Sequence, residues 1–154
     1  MKTLNELIFQ NEATMLVKAK RVTDNKWIMG YPVPIGDKLY ILSEDDISAN
    51  ENSIVFNNEN EVDKNTICHF TGKLTVKGEP VWEHDKIAYH FDENVIGVVR
   101  FGSYENVIPN VMHVSESHHG FYVDWPTKPS LRKDLGYWFD SNSMGMEVKG
   151  NLFD

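Results

Sequence analysis

The sequence predicts a mainly β protein: an N-terminal antiparallel meander, then a second run of short strands forming a small sandwich or barrel, with few short helices. Three observations carry this. Valine and isoleucine total 25 of 154 residues, whereas alanine and leucine reach only 13, an excess of β-branched residues over good helix formers. Short apolar runs punctuated by Gly, Asn and Asp recur about every 8–12 residues, the spacing of all-β folds. The balance of 41% hydrophobic and 25% charged residues excludes disorder, collagen and coiled coil. It suits one domain or two small ones, burying roughly two-thirds of the unfolded surface.

Residues 1–13 form an N-terminal extension. Thr3 and Glu6 have capping-box spacing, and Leu4, Leu7 and Ile8 share one face, so a short helix is expected there. The meander spans 14–62. Val17 and Ala19 alternate with Lys18 and Lys20 in a first strand; Thr23-Asp24-Asn25 turns the chain into a second strand, Lys26 to Val33. Gly36-Asp37 leads to a third, Leu39 to Leu42. Residues 43–53 and 57–65 are acidic and polar around Ile54-Val55-Phe56 and read as solvated loops. They lack the register of a calcium-binding loop. The C-terminal subdomain, 63–154, carries strands at 66–76, 80–82, 87–91, 95–101, 120–125 and 146–153. Ser130 to Phe139 has helical spacing at Leu131, Leu135 and Trp138, but Gly136 interrupts it.

The net charge of −8 weighs against a dedicated nucleic-acid binder, because phosphates are repelled unless a basic patch is concentrated locally. The single cysteine, Cys68, suits a reducing compartment and reads as a buried small hydrophobe. No run approaches the roughly 20 apolar residues of a membrane span, and no signal peptide stands out. A cytoplasmic location without a membrane partner is expected.

Chemistry is sparse. His84 and His90 with Asp85 and Asp92 supply ligand types for a metal-dependent enzyme, but in a continuous strand the histidines would lie roughly 20 Å apart. No nucleophile elbow, phosphate-binding loop or dinucleotide fingerprint occurs. No catalytic, cofactor-binding or metal residue is therefore assigned, and a non-enzymatic role is expected. One basic cluster, Lys18, Lys20, Arg21 and Lys26, lies beside Trp27 and Tyr31. It reads either as a phosphate-contacting stripe with stacking aromatics or, the favoured reading, as the solvated face of an edge strand guarded by lysines. Lys128, Arg132 and Lys133 beside Trp125 make a weaker patch.

The stretch VKAKRVTDNKWIMGY, residues 17–31, with Trp27, Gly30 and Tyr31, resembles the opening of the YopX family of phage and prophage proteins. The likeness continues through Val62-Asp63, Thr66, Thr71-Gly72 and KGEPVWEHDKI at 77–87, which holds Gly78, Trp82 and Asp85. It then runs through Gly97-Val98-Val99, Gly120-Phe121 and Gly150-Asn151 in the expected order. The resemblance implies a small SH3-like β-barrel after the meander and a phage or prophage accessory role. It implies a phage or host protein, or a second copy, as partner, and no cofactor. The signature residues read as structural: glycines for turns, tryptophans for cores, and Asp85 capping a turn through backbone N–H groups. His84 stands where the family has a turn glycine; since φ > 0 strains a histidine, a turn of different form is expected. The first dozen residues have no counterpart, and 104–119 match least.

Overall fold

The computed structural model describes residues 15–43, 58–107, 115–140 and 146–154. The expected N-terminal helix and the Ile54-Val55-Phe56 strand lie outside the described residues. The chain forms two antiparallel sheets with few, short helices. It divides into two compact units between Phe70 and Thr71, later than the 62/63 division expected from the sequence. The reason is local. Asp63 N–H donates to Lys20 O (2.9 Å), Lys20 N–H donates to Thr66 Oγ1 (2.9 Å), and Phe70 N–H donates to Leu16 O (3.0 Å). These bonds tie 63–70 to the first unit.

In the first unit, β1 (Val17–Lys20) pairs with β2 (Trp27–Ile35) on one side and with the start of β5 (Cys68–Leu74) on the other. Next, β2 pairs with β3 (Lys38–Leu42), which pairs with β4 (Glu61–Val62). Alternation works as the sequence predicts: Val17 and Ala19 are buried with Ile41 and Val62, and Ile28, Leu39 and Ile67 pack against them. Lys18 and Lys20 take the opposite face. The acidic run around residue 60 is more structured than a loop, holding β4 between the 3-10 turns Asn58–Asn60 and Lys64–Thr66.

In the second unit, the end of β5 and β6 (Pro80–Trp82) form a hairpin whose turn places Gly78 at φ 81°. The other strands run in the order β10-β9-β8-β7-β11: β10 (Lys133–Asp134), β9 (Ser115–Asp124), β8 (Asp92–Val107), β7 (Asp85–Tyr89) and β11 (Glu147–Asn151). Their core gathers Val81, Ile87, Val95, Val99, Val123, Trp125, Leu135, Trp138 and Met146. Trp125 is wholly buried; removing such a ring from water is worth about 4–6 kcal/mol as an upper estimate. The ambiguous segment near 130–139 resolves into a 3-10 turn, Pro129–Leu131, then β10 and a short helix α1 (Leu135–Phe139) capped by Asp134, which accepts Tyr137 N–H at 3.0 Å. Gly136 is inside α1 because a Cβ there would lie 2.9 Å from both the Asp134 and Asp140 carboxylates.

Candidate functional site

Several of the residues that carry the resemblance stand at constrained points of the backbone. A Cβ on Gly30 would collide with the Leu42 carbonyl, and one on Gly97 would lie 2.6 Å from the Trp125 ring and from Val123. Gly72 (φ 77°) and Gly150 (φ 127°) sit at irregular points of β5 and β11. Trp27 is half-buried and Trp82 buried, while Tyr31 pairs with Leu42 across the sheet. Thr71 Oγ1 donates to Val81 O at 2.7 Å.

Asp85 is 1% exposed and Asn151 2%. The Asp85 carboxylate accepts Trp82 N–H (2.8 Å) through Oδ2 and Asn151 Nδ2 (2.8 Å) through Oδ1. Asn151 Nδ2 also donates to Glu83 O at 3.2 Å, and Asn151 Oδ1 accepts Phe153 N–H at 3.1 Å. The pair ties the turn before β7 to the end of β11, and it satisfies a carboxylate that would otherwise be costly to bury.

The turn at His84 carries its strain in the histidine. His84 itself adopts φ 67°, because its backbone is gripped from both sides: His84 N–H donates to Val99 O (2.9 Å) and Leu152 N–H donates to His84 O (3.0 Å). Its ring packs edge-on against Phe153 at 5.2 Å, and its Nε2 lies 3.7 Å from Glu83. His90 follows the far end of β7 and lies against Phe91, ring planes tilted at 46° and centroids 3.7 Å apart. The length of β7 thus separates the two histidines. Among the described residues no group of three or more His, Cys, Asp or Glu side chains is placed to hold a metal ion.

The basic cluster divides in two. Lys18 and Lys20 converge on Trp27, their ammonium nitrogens 4.7 and 5.3 Å from the ring centroid. Arg21 instead turns to Asp24, donating from Nε (3.1 Å) and Nη2 (2.7 Å). Lys26 lies 3.9 Å from the same carboxylate. Desolvation pushes the Asp24 carboxyl up, but the Lys26 backbone N–H and the Arg21 hydrogen bonds and charge outweigh it and hold it below the usual range. The edge-strand reading of the lysines does not stand, since β1 has a strand on each side.

The largest feature that residue-type reasoning missed is a ribbon. The last β7 partner of β8 is Val98, and β10 meets β9 only at Val123 and Tyr122. Beyond those points β8 and β9 pair with each other alone among the described residues, out to Val107↔Ser115. One ribbon face continues the core face outward. Phe101, 53% exposed, lies 4.9 Å from Phe121 and 5.1 Å from His119, and His119 Nδ1 is 3.1 Å from Ser103 Oγ. On the other face Gly102 opposes Gly120, at φ 146° and 151°. On that face Tyr104 and Tyr122, flanking the glycine pair, stack at 4.6 Å. His118 extends the stack beyond Tyr104 (5.4 Å) and Arg132 beyond Tyr122 (5.9 Å). Burial, with Asp134 adding to it, raises the Tyr104 phenol above its usual value. The sequence does carry a signal: Phe101-Gly102 and Gly120-Phe121 are mirror images about residue 111, as a long hairpin requires.

No protein-family model, curated protein or solved structure matches the chain. Among the described residues, no helix is long and apolar enough to cross a membrane.

Proposed function

We propose that the chain is a non-enzymatic accessory protein of the YopX type, serving a phage or prophage by binding another protein through the β8–β9 ribbon. The observation that supports this reading is the ribbon itself. Its strands run past their β7 and β10 neighbours, so backbone groups along both outer edges have no strand partner among the described residues. Such an edge is a template for strand addition. Between Phe101 and Val107 and between Ser115 and Phe121 the sequence has neither lysine nor proline, the usual guards against pairing. The occupant that fits is an extended, basic segment of a partner with apolar side chains at alternate positions. Phe101 and Phe121 offer it an apolar surface, and Glu105 and Glu116 are the full charges in those stretches. A second copy would bring those carboxylates together within a chain already at −8. The order of the residues that carry the resemblance supports the family part of the reading.

An alternating Lys–Val peptide is the probe. Titrated into labelled protein, it should shift backbone amide resonances of 100–105 or 117–121, and Phe101→Ser should weaken the effect. Shifts confined to other strands would overturn the proposal. So would a dimer formed without peptide that protects the same amides, which would make the partner a second copy.

A further inference from the structure

We infer that the first unit binds a small zwitterion, an α-amino acid with an apolar side chain, in a cavity between the turns of its sheet. Arg21 bridges to Val62, and Val22 N–H donates to Glu61 O at 2.9 Å. These contacts join β4 to the end of β1, so the pairing β1–β2–β3–β4 closes on itself. At the closure lies a cavity of 440 Å³, within the size range of small-molecule sites. Its walls come from the β1–β2 turn, the β2–β3 turn and the chain from Glu61 to Lys64, all in the first unit.

The charges around the cavity select the ligand. Arg21, Lys38 and Lys64 line it together with Asp37, Glu61 and Asp63. Four of these six are already engaged with protein charges or caps. Arg21 is bound to Asp24 (2.7 Å) and Lys38 to Glu61 (2.8 Å), while Asp63 Oδ1 caps the following turn by accepting Asn65 N–H at 2.9 Å. The other two are Lys64 and Asp37. Lys64 Nζ donates to the Asp37 carbonyl oxygen at 2.8 Å, and among the described residues no carboxylate lies within ion-pair distance of it. The Asp37 carboxylate accepts no hydrogen bond among the described residues. Lys64 thus grips the backbone of the very residue whose carboxylate it does not pair with, and opposite charges stand a few bonds apart at one cavity.

A simple anion would gain Lys64 but meet Asp37, and a simple cation would gain Asp37 but meet Lys64. A ligand with both charges on one carbon suits both and adds no net charge. Its carboxylate accepts from Lys64 and its ammonium donates to Asp37, each a charge-assisted hydrogen bond. Leu39, half-buried, and Val22, 59% exposed, give its side chain an apolar wall. Among the described residues no aromatic ring lines the cavity to stack a base or a sugar. The site lies in the first unit and does not depend on the ribbon.

Titration of L-leucine into the isotope-labelled full chain, followed through backbone amide resonances, tests it. Shifts are expected at 37–39 and 61–64, with a Kd of about 0.1–1 mM. Isocaproate, which lacks the ammonium, and isoamylamine, which lacks the carboxylate, should each bind at least about tenfold more weakly. Asp37→Asn and Lys64→Gln should each weaken leucine binding about tenfold, whereas Lys64→Arg should stay within about threefold of the parent. Resonance dispersion identifies any variant that fails to fold, and the two analogues on the parent chain then decide. No shift at about 10 mM leucine overturns the proposal. Isocaproate binding as tightly as leucine does so too, because the site would then take anions, and equal binding of isoamylamine would make it a cation site. Unchanged leucine affinity in folded Asp37→Asn likewise overturns it.

Discussion

Two parts of the second unit are built on opposite terms. In the body, where β7 lies between β8 and β11, every special residue is pinned by something else. Gly97 has no room for a Cβ beside Trp125. Asp85 and Asn151 satisfy each other in near-complete burial, and His84 is held at positive φ by bonds to Val99 and Leu152. In the ribbon, Gly102 and Gly120 face open space, Phe101 is half exposed, and each strand has a single partner among the described residues. The body spends its unusual residues on being one structure. Among the described residues, the ribbon leaves Phe101 half exposed and its outer strand edges without a strand partner, the property an interaction surface needs.

The largest loss is expected at the buried polar pair. Asn151→Ala leaves the Asp85 Oδ1 without its amide donor in a dry site, and a loss of about 3 kcal/mol is expected in urea unfolding. Gly97→Ala comes next. A methyl group 2.6 Å from ring and side-chain carbons must displace Trp125 or bend β8, costing about 1–3 kcal/mol. In the ribbon, Gly102→Ala and Gly120→Ala meet no neighbour and cost only the strain of their φ, about 1 kcal/mol each. If either ribbon glycine proved as costly as Gly97, the ribbon would be as firmly fixed as the body.

Local rules explain how much of this could be read in advance. Strands β1, β2, β3 and β7 follow from alternation and turn residues within a few positions, because both depend on near neighbours. The requirement for glycine at position 97 depends on a tryptophan 28 residues later in the chain, so the residue could be singled out but its reason could not. Strand order is likewise tertiary. Lys18 and Lys20 looked like edge guards because nothing in VKAK tells whether one neighbour or two will pair with it. The ribbon stayed unread because its polar residues, Ser103, Glu105, Ser117 and the two histidines, alternate without an apolar partner set; only the mirrored Phe-Gly and Gly-Phe pairs mark it. The positive φ of His84 is likewise tertiary: the strain at one residue is small beside the two backbone hydrogen bonds, to Val99 and from Leu152, that fix it.

Hydrogen exchange sharpens the same contrast without mutation. Amides of β7 and of β8 up to Val99 should exchange only on global unfolding. Those of the ribbon should open locally at lower free energy, since they have fewer buried contacts around them. Equal protection along all of β8 would remove the basis for treating its outer half as a separate region.

The smallest expected effect lies at the surface of the body, where Glu147 joins β11 to the β5–β6 turn. The Lys149 hydrogen bond (2.7 Å) and then that of Lys77 (3.0 Å), with the charges of both, hold its carboxyl down at about 2. Because the folded value lies below the ordinary 4.5, the contribution is complete above that pH. It fades as the pH falls from about 4.5 towards 2. The group is exposed, so solvent and salt screen it, and Glu147→Gln should barely change stability at neutral pH. Carbon-detected titration of the Glu147 carboxyl should give a midpoint near 2 in low salt, rising when Lys149→Met removes the stronger partner. A midpoint near 4.5 in the parent would mean that the two lysines do not hold this strand end.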